Sequence, residues 1–428
     1  MKIIINDKKS ESEFIQYLNS RNTENNEQVE SAVATIISDV IKNRDDAVRK
    51  YTLSFDGVMP EKLELSKEQI DVAAAKCDKA LIEVMKKAAE NIKAYHQNQK
   101  RVGFEMNLEG NSKLGQILRP LKRVGIYVPG GTAAYPSSVL MNTIPAKVAG
   151  VYEVIMVTPP QKDGLLNPDV IAAAKIAGVD RIFTIGGAQA IAALAYGTAE
   201  VPMVDKIVGP GNIYVATAKK QVFGKVNIDM IAGPSEILII ADDTANAKFI
   251  AADMLSQAEH DKLASAVLLT TSDTLSKKVE IEIKKQLVEL KRKEIAECSI
   301  NDFCAIIVSE NIDRCVEIAN IVAPEHLEVM VNDPFSILPQ IENAGSIFLG
   351  EYSPEPLGDY FAGPNHVLPT SGTARFSSPL SVDDFYKKMS YISYSKELLE
   401  KSHKEIEMFA IHEGLTAHAN SVKIRFDD

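Results

Sequence analysis

The chain has 428 residues, 46% apolar and 25% charged, a composition ordinary for a soluble globular protein and a length that suits two or three domains. Its 58 acidic residues outnumber 47 basic ones, for a net charge of −11, and a surface of that sign, without any long Lys/Arg block, excludes nucleic acid as an expected partner. The first apolar run, in MKIIINDKKSESEF, is too short for a signal-peptide core, and no window approaches 18 uninterrupted apolar residues; no membrane span and a cytoplasmic location are expected.

Residues 1–22 are polar and read as a terminal arm. Val29, Val33, Ile36, Ile37, Val40 and Ile41 share one helical face, and 77–95 repeats that spacing, so 27–100 is expected to be helical. From about 120 short apolar strands alternate with helices. Strands are expected at 123–128, 153–157, 181–185 and 206–208, with helices at 141–148, 169–177, 189–196 and 214–222. The alternation resumes with strands at 237–241, 266–270, 303–308, 327–331 and 346–349. The helices between them fall at 246–259, 275–290 and 312–322. The lysine-rich KKVEIEIKKQLVELKRKE is too short for several heptads and reads as a solvated amphipathic helix. The tail from about 382 reads as helical.

Such β-α alternation implies parallel sheets covered by helices. The expected fold is two doubly wound, incomplete Rossmann-like α/β domains, one inserted in the other, with small helical extensions at both ends. The main domain is expected over 23–127 and 237–381, the inserted one over 128–236, and the tail over 382–428.

Four cysteines, Cys77, Cys298, Cys304 and Cys315, form no CxxC pair and are expected to be reduced, mostly buried thiols. Six of the seven histidines follow residue 259, several within polar clusters. In SQAEHD, Gln257 continues the helical stripe of Ile250 and Met254, and His260 lies three residues on. That pair reads either as a hydrogen-bonded helix end or as one oxygen and one nitrogen metal ligand. Pro324-Glu325-His326 joins a helix to a strand. It is either a surface turn or a carboxylate and imidazole placed for proton transfer at a sheet edge. LGDYFAGPNH sets Asp359 and His366 in a Gly/Pro-rich loop whose backbone is fixed and non-repetitive. IHEGLTAHA carries His412, Glu413 and His418, which on their own read as exposed tail residues. The loops PGG, IGGAQA, GPGN and AGPSE stand at strand ends, where glycine lets backbone N–H groups approach a phosphate or carboxylate. No GxGxxG is present, so these loops alone are a weak dinucleotide signal.

Together, RVGIYVPGGTAAYPSSVLMNTIPAKVAG, IGGAQAIAALAYGT, VGPGNIYVATAKK, IDMIAGPSEILIIAD, AADMLSQAEHD, IVAPEHLEVM, the stretch GSIFLGEYSPEPLGDYFAGPNHVLPTSGTARFSSPLSVDDF and HEGLTAHANSVKIR resemble the histidinol dehydrogenases. The resemblance runs through almost the whole chain in one order and is weakest before about 115. It implies NAD-dependent oxidation of L-histidinol through L-histidinal to L-histidine, with two NAD per turnover. It implies one Zn2+ per subunit, held by Gln257, His260, Asp359 and His418. Proton chemistry falls to Glu325 and His326. Substrate contacts map to Ser235, Gln257, His260, Glu325, His326, Asp359, His366, Glu413 and His418, and NAD contacts to Tyr127, Gln189 and Asn212. It also implies a homodimer with intertwined ends, in which Glu413 and His418 of one chain complete the site of the other. A sibling zinc/NAD dehydrogenase acting on another primary alcohol would use the same ligands and base; Glu413 and His366 favour histidinol. A non-catalytic homologue would be expected to lose a ligand or the Glu325–His326 pair, and both are present.

Overall fold

The computed structural model describes residues 1–20, 27–130, 135–162 and 164–427. Gly131 of the PGG loop and residues 21 and 22 of the expected arm lie outside them. The chain forms two compact units, Met1–Gln99 with Leu121–Phe385, and Lys100–Pro120 with Tyr386–Asp428.

In chain order the elements begin with β1 (Lys2–Ile5), α1 (Lys8–Ser20), α2 (Glu27–Asp56), α3 (Lys67–Ala74) and α4 (Lys79–Gln97). Next come β2 (Phe104–Asn107) and β3 (Lys113–Pro120), which belong to the smaller unit. There follow β4 (Arg123–Tyr127), α5 (Pro136–Ala149), β5 (Glu153–Val157), α6 (Pro168–Ala177), β6 (Arg181–Phe183), α7 (Gly187–Tyr196), β7 (Lys206–Val208), α8 (Ile213–Val222) and β8 (Asn227–Ile228). The next run is β9 (Glu236–Ala241), α9 (Ala247–Ala258), β10 (Ser265–Thr270), α10 (Asp273–Leu287), α11 (Lys293–Phe303), β11 (Ala305–Val308) and α12 (Ile312–Val322). The last are β12 (His326–Met330), α13 (Pro334–Ile337), β13 (Ser346–Leu349), α14 (Glu355–Tyr360), β14 (Tyr386–Ser393), α15 (Lys396–His412) and α16 (Thr416–Lys423).

The larger unit carries two parallel sheets. One runs β6-β5-β4-β7-β8, the other β1-β11-β10-β9-β12-β13. Without β1 the two have the same order of strands. Each starts in the middle, winds outward to one side, then crosses back and winds to the other, as in a doubly wound fold. Each sheet therefore has a switch point: between β4 and β7 in the first, between β9 and β12 in the second. The inner strands of the second sheet, β9, β10, β11 and β12, are buried on both faces, with α9, α10 and α11 packing on one side and α1 and α12 on the other. That explains why β9 and β10 read EILIIA and SAVLLT without polar alternation. Local chemistry sets the helix ends. Asn167 and Asn246 accept N–H groups at the starts of α6 and α9, and Gly150 and Gly178 end α5 and α6 at φ of 88° and 85°.

Two expectations change. Residues 2–5, read as part of an arm, form an edge strand paired with β11 from Lys2↔Ala305 to Ile5↔Val308. The tail is not helical from its start. After a 3-10 turn at Val382–Phe385, Tyr386–Ser393 form β14, antiparallel to β3 from Tyr386↔Pro120 to Ser393↔Lys113 in the smaller unit. Period-two burial is weak there, because the strand is exposed or half-buried throughout. The lysine-rich stretch does form a one-sided helix, α10, which buries Leu275, Val279 and Ile283. All four cysteines are free thiols, and burial lifts Cys77 and Cys315 to about 11. Among the described residues no helix is long and apolar enough to cross a membrane.

Candidate active site

The Pro324-Glu325-His326 turn lies where α12 hands over to β12. Ala323 ends α12 in the left-handed region at φ 50°, a conformation a non-glycine residue holds only when its surroundings impose it. The turn is pinned from the far side by Gly345, where a Cβ would meet the Glu325 carbonyl oxygen at 2.5 Å, so no larger residue fits. The Gly345 and Ser346 N–H groups donate to the carbonyls of Pro324 and Glu325, each at 2.9 Å. His326 then becomes the first residue of β12, in register with Ile237 of β9 and Ser346 of β13. The site thus sits at the switch point of the six-stranded sheet, but at the amino ends of β9 and β12, the opposite edge from the usual α/β ligand crevice.

Both side chains of the pair are buried and tied to the start of β9. Glu325 Oε2 accepts the Glu236 N–H at 2.9 Å. His326 Nδ1 donates to the Glu236 carbonyl at 3.0 Å. That bond places the ring proton on Nδ1 and leaves the lone pair on Nε2. Nε2 is buried and makes no hydrogen bond; two carboxyl oxygens stand near it, Glu355 Oε1 at 3.8 Å and Asp359 Oδ1 at 3.9 Å. Burial also lowers the His326 pKa, so the ring stands neutral with a free basic nitrogen at neutral pH.

Asp359 and Glu355 lie one turn apart on α14, on one face. His366 folds back from the following loop, its Nδ1 donating to the Asp359 carbonyl at 3.1 Å. Behind α14, Glu328 of β12 accepts the Glu355 N–H at 2.8 Å, and Asp253 of α9 hydrogen-bonds the Glu328 carboxyl. These acids are too crowded and too buried to ionise together. Burial raises Glu325 and Glu328 well above the usual carboxylate range, Glu355 to about 9 and Asp253 to about 6. A cation bound among these acids would favour their ionised forms.

Gln257 comes from the last turn of α9. Its side chain is fully buried, yet neither amide atom has a hydrogen-bond partner. A buried amide unpaired at both ends costs stability, which implies a ligand in the bound state. His260, two residues past α9, is exposed but close enough for its charge to act on His326, as does that of His366. Among the described residues, His326, Glu355 and Asp359 are the group able to hold a metal ion, with one ligand atom from each within 4.8 Å of the others. Asp359 is common to this trio and the expected ligand set. Ser235 is half-buried just before β9, and its carbonyl accepts the Ser265 N–H at 3.0 Å. Glu413 caps the end of α15 and His418 lies in α16; both are exposed residues of the smaller unit.

The glycine loops stand at the carboxyl ends of the other sheet. Tyr127 ends β4, its buried hydroxyl accepting the Gly187 N–H at 3.1 Å. Gly209 follows β7 at φ 109°, and a Cβ there would meet the Tyr127 carbonyl oxygen at 2.2 Å. The Gly209 peptide is held on both sides: its N–H donates to Asp229 Oδ2 at 2.8 Å and its carbonyl accepts Lys219 Nζ at 2.9 Å. Lys219 and Asp229 are themselves a buried ion pair. Asn212 caps α8 through the N–H groups of Tyr214 and Val215. Gln189 is buried in α7 with Oε1 unpartnered. The three expected cofactor residues are thus brought to one sheet edge, across the β4–β7 switch point.

Sequence reasoning passed over Glu236, Glu328, Glu355 and Asp253. Their signal was acids inside or abutting apolar runs, as in HLEVM and SEILIIA, where periodicity calls for hydrophobic residues.

A sequence model described as histidinol dehydrogenase matches residues 19–426. The chain is 57% identical over 413 residues to the histidinol dehydrogenase of Clostridium acetobutylicum, covering 96% of each. It is 54% identical over 416 residues to that of Listeria innocua, covering 97% of each. The crystal structure of histidinol dehydrogenase from Elizabethkingia anophelis superposes with a TM-score of 0.94 at 38% identity, covering 99% of this chain and 98% of that one.

Proposed function

The chain belongs to the histidinol dehydrogenase family, which catalyses the last steps of histidine biosynthesis, and from that premise we propose a zinc- and NAD-dependent oxidation of L-histidinol to L-histidine at the Glu325–His326 turn. The observation that carries this reading is the unpartnered, buried Nε2 of His326, held as a free base beside Asp359.

The residues fit a divalent cation with nitrogen and oxygen ligands. Gln257 offers a buried amide with no other partner, Asp359 a carboxylate and His260 an imidazole. Gln257, His260, Asp359 and His418 would hold it, with His418 supplied by a second copy of the chain. When bound, zinc orients the substrate's nitrogens and carbinol carbon, and NAD, held at Tyr127, Gln189 and Asn212, accepts hydride.

His326 Nε2 takes the alcohol proton as the carbinol carbon loses hydride, giving the aldehyde. Glu325 takes a proton from water, whose oxygen adds to the carbonyl carbon. After releasing its first proton to solvent, His326 accepts a proton from the resulting hydrate as a second hydride leaves, giving the carboxylate. Each histidinol therefore consumes one water and yields two NADH. In the unliganded protein burial raises the Glu325 pKa and favours its protonated form; positive charge arriving in the site favours its ionised form. Ser235, His366 and Glu413 contact the substrate's polar groups.

The proposed assembly is a homodimer with exchanged tails, in the cytoplasm. In the smaller unit Ile392, Met408, Phe409, Ile411 and Ile424 are each more than half exposed, an apolar surface of the kind a second chain covers. Incubation with L-histidinol and NAD tests the reaction: two NADH and one L-histidine per histidinol are expected. No NADH from zinc-loaded protein would refute the substrate assignment and direct the search to other amino alcohols.

A further inference from the structure

We propose that Asp56, at the end of α2, is the residue that binds the ribose hydroxyls of the dinucleotide and selects NAD over NADP. This rests on the reading that the β4–β7 crevice holds the dinucleotide.

In doubly wound folds that bind NAD, an acid near the end of the second strand accepts hydrogen bonds from the ribose. The second strand here is β5, and it runs into Thr158-Pro159-Pro160-Gln161-Lys162, which offers no carboxylate among the described residues; Asp163, next in the chain, lies outside them. Asp56 comes from outside the sheet. It is half-buried, and its Oδ2 is shielded from solvent without a hydrogen-bond partner. Its charge acts on the Tyr127 hydroxyl at the end of β4. Burial raises the Asp56 carboxyl to about 6, and among the described residues no neighbouring cation offsets this.

Other atoms at this place point to a ligand too. The Tyr127 hydroxyl is the acceptor for the Gly187 N–H, and Gly187 stands against Gln189 Oε1, a second buried oxygen with no partner. The end of α2 is brought here because the helix packs along α7, with Asp45 accepting the N–H groups of Ala199 and Glu200. Two unpaired acceptors, a carboxylate and an amide oxygen, thus lie by Tyr127 at the end of β4. Carboxylates only accept, so the complementary group is a donor pair such as a vicinal diol. A 2′-phosphate would meet Asp56 as a like charge and be rejected.

The test is calorimetric binding of NAD and NADP to the zinc-loaded enzyme and to D56A, D56N and D56E, with steady-state constants for both nucleotides. Loss of the charged hydrogen bond is expected to weaken NAD roughly 10- to 100-fold in D56A. It should raise KM for NAD far more than it lowers kcat. D56N should narrow the preference for NAD over NADP, and D56E should recover part of the NAD affinity. Asp56 Oδ2 has no partner among the described residues, so the thermal midpoint should hold. If the wild type binds and reduces NAD while D56A and D56N leave both nucleotides' constants unchanged, Asp56 does not contact the ribose. If the wild type itself neither binds nor reduces NAD, the dinucleotide reading of the crevice falls and this inference with it.

Discussion

In the proposed reaction the chemistry turns on one nitrogen. His326 Nδ1 is committed to the Glu236 carbonyl, so Nε2 must be the basic atom, and it is buried without a hydrogen-bond partner. His326→Asn is expected to lower the oxidation rate by about 100- to 10,000-fold, the range of a lost general base. Zinc content, measured by elemental analysis, should stay at one per chain. Loss of zinc in that variant would make His326 a ligand and not the base. Gln257→Leu fills the same volume without polar atoms and is expected to weaken zinc about 10-fold or more in a competition with a chelating dye, while the fold is kept or made more stable. Much of this corner was legible in sequence. Glu325, His326 and Asp359 stand in unusual polar segments, and Gln257 interrupts an apolar helical stripe. Glu328 and Asp253 were not legible, because a lone acid in an apolar run gives no hint of which other acid it will meet.

At the scale of elements, α9, β12 and α14 are joined by buried carboxyl groups. Glu328 on β12 bonds the first N–H of α14 and the Asp253 side chain of α9. This makes a pH signature for the metal-free protein. Glu355 has a folded-state pKa of about 9, against an ordinary value of 4.5. Above 4.5 the unfolded chain ionises this group while the folded chain keeps it neutral. Stability is therefore greatest below the ordinary value and declines as pH rises toward about 9. The slope is on the order of 1 kcal/mol per pH unit for one such group. Metal-free protein should accordingly melt lower at pH 8 than at pH 6, and Glu355→Gln should flatten that dependence. An unchanged slope in the variant would mean that Glu355 ionises freely in the folded state. The β-α alternation was readable across both sheets, because strands buried on two faces announce themselves as unbroken apolar runs. β1 and β14 were not readable. Both are edge strands with exposed residues, and their pairing to β11 and β3 depends on partners remote in the chain.

The whole molecule repeats one winding order twice, and the two sheets use it differently. The first sheet presents its glycine loops at the carboxyl ends of its strands, while the second builds its acid–base corner at the amino ends. The family likeness extends over nearly the entire chain, so the assembly of the family is the natural frame for the exposed tail. If tails are exchanged, a mixture of the inactive His326→Asn and His418→Ala chains, unfolded and refolded together, should recover about a quarter of wild-type activity. Half of the dimers formed at random would be hybrids, each with one intact site. No recovery would place His418 in the site of its own chain or outside any site. In the proposed reaction, oxidation of histidinol at His326 depends on a metal held beside it. The most direct test is NADH formation from L-histidinol by protein stripped with a chelator and then titrated with zinc. The prediction is loss of activity on stripping and full return at one zinc per chain. Undiminished turnover by metal-free protein would contradict it.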